Sequence, residues 1–115
     1  MNRSNDDDQA DNDSAPPLVT PLACICDVQG FRFFVMCIPP VDDTNTLVYG
    51  NDKGNFLMED DAISEKIKLM CRYMHLKNHD IDCGGSMGVN NVSAGSEFQG
   101  HLCEDGRVYL MNLSR

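Results

Sequence analysis

The residues with the most obvious chemistry are two histidines and a cysteine at regular spacing, His75, His79 and Cys83. A structural zinc site uses four tetrahedral nitrogen or sulfur ligands, and a spacing of four would place both histidines on one face of a continuous helix. The apolar pattern of that helix ends near Leu76, however, and the sequence has no Cys-x-x-Cys pair to supply the second half of a site. We therefore expect exposed imidazoles and ordinary thiols, and no metal.

Two glycine-rich segments have the composition of a phosphate loop or a catalytic loop. Residues 50–54 lack the Gly-Lys-Ser/Thr ending of a phosphate loop and precede a predicted strand, so no helix N-terminus would face a phosphate. Residues 84–88 contain a serine among glycines, but they do not lie between a predicted strand and a predicted helix, as a nucleophile elbow does. We therefore predict that the chain is not an enzyme and has no cofactor.

The charge of the chain limits its partners. Eighteen acidic and nine basic residues give a net charge of −9, which opposes binding to the phosphates of nucleic acids and to anionic membranes. Lys66, Lys68, Arg72 and Lys77 lie close together, and we interpret them as a solvated helix face whose basic end points toward the C-terminus. We expect protein partners, no DNA binding, no membrane insertion, and RNA association only indirectly or with a longer protein.

Composition also divides the chain and indicates a compartment. Residues 1–17 contain five aspartates and no large apolar side chain after Met1, which predicts a disordered acidic tail followed by a single domain over residues 18–115. The N-terminus lacks the basic start and apolar run of a secretory signal. Six scattered cysteines are then expected to be reduced and mostly buried, as in a cytoplasmic protein.

Apolar periodicity predicts one helix, over residues 61–76. Its apolar residues recur at spacings of four, three and four, and an aspartate at its start can accept hydrogen bonds from the first amides. The apolar stripe consists of Ile63, Ile67, Met70 and Met74, and the capping residue is Asp60 or Asp61.

Strand-like runs lie on both sides of the predicted helix. Residues 31–38 are aromatic, β-branched and nearly continuously apolar, which predicts a strand covered on both faces. Residues 46–49 and 55–58 predict a hairpin, and residues 18–28 are consistent with an added edge strand. Residues 84–96 show no periodicity and are predicted to form a loop.

The last eighteen residues have the pattern of a β-hairpin. Asp105-Gly106 between two strand-like runs predicts a type I′ turn, in which both central residues have positive φ. On the return strand, Val108, Leu110 and Asn112 are expected to face one side. The elements together predict an α+β fold, a mainly antiparallel sheet of two or more β-hairpins packed against one amphipathic helix.

Several segments of this chain carry a family resemblance when they are taken in order. They are Gly30-Phe31-Arg32, Ile38-Pro39-Pro40, Asn45-Thr46-Leu47-Val48-Tyr49-Gly50, His75-Leu76-Lys77-Asn78-His79, Glu97-Phe98-Gln99-Gly100-His101 and Asp105 to Arg115. Together they resemble a block of the Clu-domain (clustered-mitochondria) proteins, over about residues 29–115. Asn112 stands where the family has an aspartate, and the chain stops at Arg115. A fragment, a truncated copy and a diverged stand-alone module are therefore the alternatives.

The resemblance implies a role without catalysis. It points to a cytoplasmic interaction module that acts as a scaffold, associated with mitochondrial distribution or with messenger RNAs for mitochondrial proteins. Arg107 beside His101 is the expected polar contact point. The candidate binding residues are Tyr49, Gly50, His101, Asp105, Gly106 and Arg107. The alternatives are a remnant of an enzyme-like fold that binds a nucleotide or metal under the loop 84–96, and a fragment without function.

Overall fold

The computed structural model describes residues 15–42, 45–52, 55–58, 60–82 and 89–113. These residues form an α+β fold with a single helix, α1 (Asp61–Tyr73), and strands that pair antiparallel with one exception. The strands are β1 (Leu18–Val19), β2 (Ala23–Val28), β3 (Phe31–Met36), β4 (Leu47–Asp52), β5 (Asn55–Met58), β6 (His79–Asp82), β7 (Val89–Val92), β8 (Gln99–Leu102) and β9 (Val108–Met111). The predicted fold class is confirmed, with more strands than the sequence predicted.

The strands divide into one five-stranded sheet and two separate hairpins. The large sheet has the order β1-β9-β8-β4-β5, while β2 pairs with β3 and β6 pairs with β7. Residues 18–28, expected to form one edge strand, instead form two strands: β1, which lies at the edge of the large sheet and runs parallel to β9, and β2, which pairs with β3. The described chain begins at Ala15, inside the segment predicted to be a tail, and the Pro17 carbonyl accepts a hydrogen bond from the Val108 amide at 2.9 Å. Residues 1–14 lie outside the described residues.

Helix α1 begins at a capping aspartate. The Asp60 carboxylate accepts hydrogen bonds from the amides of Ala62 and Ile63, at 2.8 and 3.2 Å, and so satisfies two amides that have no partner inside the helix. This confirms one of the two predicted caps. The helix ends at Tyr73, three residues earlier than predicted.

The buried face of α1 packs on the large sheet. Ile63, Ile67 and Cys71 are buried, whereas Met74 lies beyond the helix and is exposed, so the predicted apolar stripe is wrong at its last position. Gly100 in β8 lies under this helix face, where a Cβ would be 3.7 Å from Ile67 Cδ1, an ordinary contact distance. The core consists of Tyr49, Ile63, Ile67, Cys71, Val92, Ala94, Phe98, Val108 and Leu110.

Ser64 is a polar exception on the buried helix face. Its hydroxyl is buried and, within the described parts of the chain, has no hydrogen-bond partner. A buried unpaired hydroxyl costs about 1–3 kcal/mol, and alanine has the higher helix propensity. We expect Ser64→Ala to raise the free energy of unfolding in urea by about 1 kcal/mol. Ser93→Ala is the control, since the buried Ser93 hydroxyl donates to the Asn78 side chain, and it should lose stability. A loss for Ser64→Ala would contradict the expectation.

The hairpin predicted in the middle of the chain is confirmed as β4–β5, with a first strand that extends to Asp52. On its other side β4 pairs with β8, and the register shifts between Leu47 and Tyr49. Gly100 pairs with Tyr49 at this β-bulge.

The C-terminal hairpin is confirmed as β8–β9, but its turn differs from the prediction. The Cys103 amide donates to the Arg107 carbonyl and the Gly106 amide to the Cys103 carbonyl, both at 3.0 Å. Gly106 has a φ of 77°, whereas Asp105 does not have positive φ. The connection is therefore a three-residue loop that ends in a left-handed glycine, and the prediction of a two-residue type I′ turn is wrong.

Asn112 also departs from its predicted place. Val108 and Leu110 are buried as expected, but Asn112 follows the strand, is exposed and has a φ of 58°. Asparagine tolerates this left-handed conformation, and its side-chain amide donates to the Glu97 carbonyl at 3.2 Å. An aspartate carboxylate could not make that hydrogen bond.

Strand β3 was expected to be covered on both faces, and this prediction is wrong. All six of its residues are exposed, and β2 is exposed at every position except Cys26. The reason is topological, because β2 and β3 pair only with each other among the described residues and lie in no larger sheet. A continuous apolar run indicates two apolar faces, but it does not indicate what covers them.

The segment after the helix contains a hairpin where a loop was predicted. Val89–Val92 forms β7 and pairs with β6 from His79 to Asp82. Residues 83–88, with most of the glycine-rich segment and Cys83, lie outside the described residues. The loop prediction is therefore wrong for residues 89–92. Their sequence does not alternate between apolar and polar residues, so it gave no sign of a strand.

The described cysteines are free thiols, but fewer are buried than predicted. Cys71 and Cys103 are buried, whereas Cys24 and Cys37 are exposed and Cys26 is half-buried. The difference has the same cause as the exposure of β3, since Cys24 and Cys26 belong to its partner strand.

None of the helical structure in the described part of the chain is long and apolar enough to cross a membrane.

Candidate functional site

Two of the predicted site residues, Tyr49 and Gly50, lie in β4 and hold the core together. The Tyr49 ring is buried against Phe98 in an edge-to-face arrangement, with ring centroids 5.7 Å apart. Gly50 has a φ of 114°, and a Cβ there would overlap the Phe98 carbonyl oxygen. Packing therefore explains both residues, and neither Tyr49 nor Gly50 presents a group to a ligand.

The burial of Tyr49 makes stability depend on alkaline pH. Burial, with a smaller contribution from the Cys71 thiol, raises the pKa of Tyr49 to about 12, against about 10 for an unfolded tyrosine. Between these values the unfolded chain releases a proton that the folded chain keeps, so stability is complete below pH 10 and falls toward pH 12. We expect a loss of roughly 2–3 kcal/mol over this range in urea unfolding. Tyr49→Phe should have the flatter pH profile, and parallel profiles would contradict the assignment.

His101 lies in β8 and is buried, with both ring nitrogens near polar groups. Nδ1 is 3.0 Å from the Thr46 hydroxyl oxygen, and Nε2 has a longer contact of 3.4 Å with the Gln99 amide oxygen. Because the Thr46 hydroxyl donates to the Asp42 carbonyl at 2.6 Å, it accepts a hydrogen bond from Nδ1. His101 therefore ties β8 to the turn that precedes β4.

The other predicted residues form the loop between β8 and β9. The Asp105 carboxylate accepts hydrogen bonds from the Tyr109 hydroxyl at 2.7 Å and from the Arg107 amide at 3.1 Å. The Tyr109 hydroxyl first, and then the Arg107 amide and charge, lower the pKa of Asp105, and the same carboxylate raises the pKa of Tyr109. These contacts fix the loop and leave the Arg107 side chain exposed.

Arg107 lies at a groove of about 340 Å³. Tyr109, Leu22, Ile38 and Pro39 are among the other residues that line it. The Nδ1–H group of His101 donates instead to the Thr46 hydroxyl. The structure thus places Arg107, one of the two residues of the expected polar contact point, in a groove beside the β2–β3 hairpin. Most of the other residues that line this groove are apolar.

The largest exposed apolar feature among the described residues is this hairpin, which we call the β2–β3 surface and define as residues 22–38. Phe31 is 68% exposed, Phe34 is 69% exposed and Ile25 is 67% exposed. The register pairs Ile25 with Phe34 on one face and Val28 with Phe31 on the other, so both faces of the ribbon are apolar. An ion pair between Asp27 and Arg32, at 2.8 Å, lies toward the tip of the first face.

The β2–β3 surface was absent from the predicted site. The signal was present in the sequence, since residues 31–38 are apolar except for Arg32 and are followed by Pro39-Pro40. An apolar run of this kind is also typical of a buried strand. The buried strand and the exposed ribbon are distinguished by the pairing, because β3 pairs with β2 and with no other described strand.

The metal candidates are separated by the fold. The helix ends at Tyr73, so His75 and His79 do not share a helical face, and His79 begins β6. The His79 ring donates through Nδ1 to the Lys77 carbonyl at 3.1 Å, and Cys83 lies outside the described residues. In the parts of the chain that the structure describes, no three His, Cys, Asp or Glu side chains lie close enough together to hold a metal ion.

The comparisons with known proteins identify a family. A family model described as "Clustered mitochondria" matches residues 6–115, nearly the whole chain. The comparison with curated proteins and the comparison with solved structures found no match. The match includes the segments that carry the resemblance, from the apolar hairpin to the C-terminal hairpin. This chain therefore belongs to the CLU (clustered mitochondria) family, whose description indicates a role related to mitochondrial clustering.

Proposed function

We propose that this chain is a non-enzymatic interaction module of the CLU family, a cytoplasmic scaffold that binds another protein through the β2–β3 surface. Its association with mitochondrial distribution, or with messenger RNAs for mitochondrial proteins, follows from that binding. The observation that carries the proposal is a two-stranded ribbon with apolar side chains exposed on both faces. Large contiguous apolar surfaces of this kind mark protein interaction sites.

The ribbon offers a partner two kinds of contact. Phe31 and Phe34 supply aromatic side chains to opposite faces, and aromatic residues are enriched at the centres of interfaces. Within the described residues β2 and β3 each have one unpaired edge, so a partner strand can add to the ribbon through backbone hydrogen bonds. The partner is then expected to present an apolar cleft or an exposed strand.

In this proposal the RNA is bound by the partner or by a longer protein, and not directly by this chain. The net charge of −9 opposes direct binding to a phosphate backbone. Single-strand recognition combines aromatic platforms with a positive groove, whereas the exposed aromatic residues of the hairpin lie beside the ion-paired Arg32.

The test is a crosslinked pull-down of the tagged chain from cells, with protein and RNA read from the same eluate. Phe31→Ser and Phe34→Ser each remove an exposed ring from one face of the β2–β3 surface, and circular dichroism confirms that the variants remain folded. We expect recovery of the partner to fall at least about fivefold for one or both, the equivalent of about 1 kcal/mol.

Tyr73→Ser is the matched control, because Tyr73 is an aromatic residue of α1 that is 78% exposed and lies outside the ribbon. The proposal predicts unchanged recovery for this variant. Equal recovery by the wild-type chain and both phenylalanine variants would show that the partner binds elsewhere. RNA that remains bound to a purified chain without any protein would contradict the indirect route.

A further inference from the structure

A second surface lies at the C-terminal end of α1 and shares no residue with the β2–β3 surface. A cavity of about 360 Å³, open to solvent, is lined there by the last turns of the helix, the segment that follows it and the residue after β7. Its polar lining consists of Lys68, Arg72, His75, Lys77, Asn78 and Ser93. No acidic residue of the described segments lines the cavity, although the full chain has twice as many acidic as basic residues.

The positive charges in this cavity are poorly neutralised. Among the described residues the ion pairs are Arg32 with Asp27 and Lys68 with Glu65, so neither Arg72 nor Lys77 has a carboxylate within salt-bridge distance in that part of the chain. Lys68 and Arg72 are four residues apart on the helix, a spacing at which like charges repel. The cavity thus holds three of the nine Lys and Arg residues of the chain around one concave space.

The helix dipole explains only part of this arrangement. A basic residue in the last turn, such as Arg72, stabilises the negative end of a helix. Lys77 lies four residues beyond the end of the helix, where that effect has faded. Lys66, grouped with these residues in the sequence, instead donates to the carbonyls of Ala15 and Pro16 at 3.3 and 3.2 Å.

His75 occupies a position that ordinarily has glycine. The Leu76 amide donates to the Cys71 carbonyl and the Met74 amide to the Met70 carbonyl, which closes the helix, and His75 has a φ of 57°. A left-handed residue at this point is usually glycine, because a side chain is strained there. The strained residue places its imidazole in the lining of the cavity.

Asn78 adds a fixed donor. The Ser93 hydroxyl donates to the Asn78 side-chain oxygen, so the amide nitrogen is the group left to donate to a ligand. The contact also joins the segment after the helix to the end of β7 and holds the two walls of the cavity together.

We propose that this cavity binds a small phosphorylated ligand through its phosphate group, with Arg72 and Lys77 as the charged contacts and His75 and Asn78 as further donors. Guanidinium and ammonium groups around one site are the usual recognition set for phosphate oxygens. The volume fits a small molecule. A compact ligand also avoids the acidic remainder of the surface, which an extended nucleic-acid backbone would have to cross. This proposal is independent of the β2–β3 surface.

The test uses the full chain, titrated with inorganic phosphate and with pyrophosphate against chloride at equal ionic strength. Backbone and arginine side-chain NMR signals report where the anion binds, and thermal unfolding reports the stabilisation that ligand linkage requires. We expect saturable shifts at Arg72, His75 and Lys77, tighter binding of pyrophosphate than of phosphate, and a higher unfolding temperature with either anion than with chloride.

Arg72→Gln and Arg107→Gln form a matched pair, since each removes one exposed arginine charge and only Arg72 lines the cavity. We expect Arg72→Gln to weaken pyrophosphate binding about tenfold or more, and Arg107→Gln to change it by less than about twofold. His75→Gly should raise the unfolding temperature without ligand, by relieving the left-handed strain, and should weaken binding.

The proposal is overturned by shifts that match those of chloride, by shifts that map away from the cavity, or by equal weakening in both arginine variants. It is also overturned if a single-stranded oligoribonucleotide binds at Arg72 and Lys77 while phosphate and pyrophosphate do not. That result would assign the cavity to a nucleic-acid backbone.

Discussion

Gly50→Ala is expected to lower the free energy of unfolding by about 3 kcal/mol or more, because two penalties combine. The φ of 114° at this position is a conformation that residues with a Cβ rarely adopt. An added Cβ would also overlap the Phe98 carbonyl oxygen and lie 3.0 Å from the Gln99 Cα, and both are backbone atoms that cannot turn aside. Urea unfolding of the full chain measures the loss, with failure to fold as the extreme result.

Gly106→Ala separates the two penalties. Gly106 also has positive φ, at 77°, but a Cβ there would meet no atom within 4 Å. This variant should therefore lose only the conformational part, about 1–2 kcal/mol. If the two glycine variants are equally destabilised, the close approach of β4 to the Phe98 backbone is not the cause.

Phe98→Ala is expected to destabilise the chain by about 3–5 kcal/mol, the usual range for a buried aromatic residue. Phe98 is 2% exposed and its ring packs edge-to-face on Tyr49 in the main core. Its removal leaves a cavity between β4, β8 and the helix that the surrounding strands cannot fill. The change is measured as a shift in the urea midpoint at an unchanged dependence on urea concentration.

Phe31→Ala provides the comparison within the same residue type. Phe31 lies on the β2–β3 surface and is largely exposed, so truncation should change the free energy of unfolding by no more than about 0.5 kcal/mol. Similar losses for Phe98→Ala and Phe31→Ala would mean that the hairpin is packed in the folded chain, and would remove the basis of the proposed docking surface.

Local signals predicted those parts of the fold that local interactions determine. The Asp60 cap and the 3.6-residue periodicity located the helix, and alternation around Gly106 located the C-terminal hairpin. The errors concern the residue at which the helix ends and the type of turn in the C-terminal hairpin. The helix ends at Tyr73, two residues before the left-handed His75. Asp105 lies in a three-residue loop because, of the two turn residues, Gly106 alone has positive φ.

Non-local pairing was the part that the sequence could not provide. The apolar run of β3 is compatible with a buried central strand, but β3 pairs only with β2 in the described chain and is exposed. For the same reason the predicted site residues Tyr49 and His101 proved to be buried structural positions, while the exposed surface lay elsewhere. Composition identifies apolar segments, and topology decides which of them remain uncovered.

The basic residues near the helix end illustrate the same limit. Sequence spacing grouped Lys66, Lys68, Arg72 and Lys77 and indicated a solvated helix face. In the fold, Lys66 donates to the carbonyls of Ala15 and Pro16, whereas the other three basic residues line one cavity together with Asn78. A concave site requires a second wall, which the residue after β7 supplies here. The periodicity of the helix does not indicate which distant residue will pack beside it.

The proposal that the β2–β3 surface is the docking site is tested most directly by hydroxyl-radical footprinting of the chain alone and in its purified complex with the captured protein. The proposal predicts that oxidation of Phe31, Phe34 and Met36, all exposed in the free chain, falls several-fold in the complex. Oxidation of Tyr73 on the helix should remain unchanged. Protection of Tyr73 and the helix, with the three hairpin residues oxidised as in the free chain, would contradict the account.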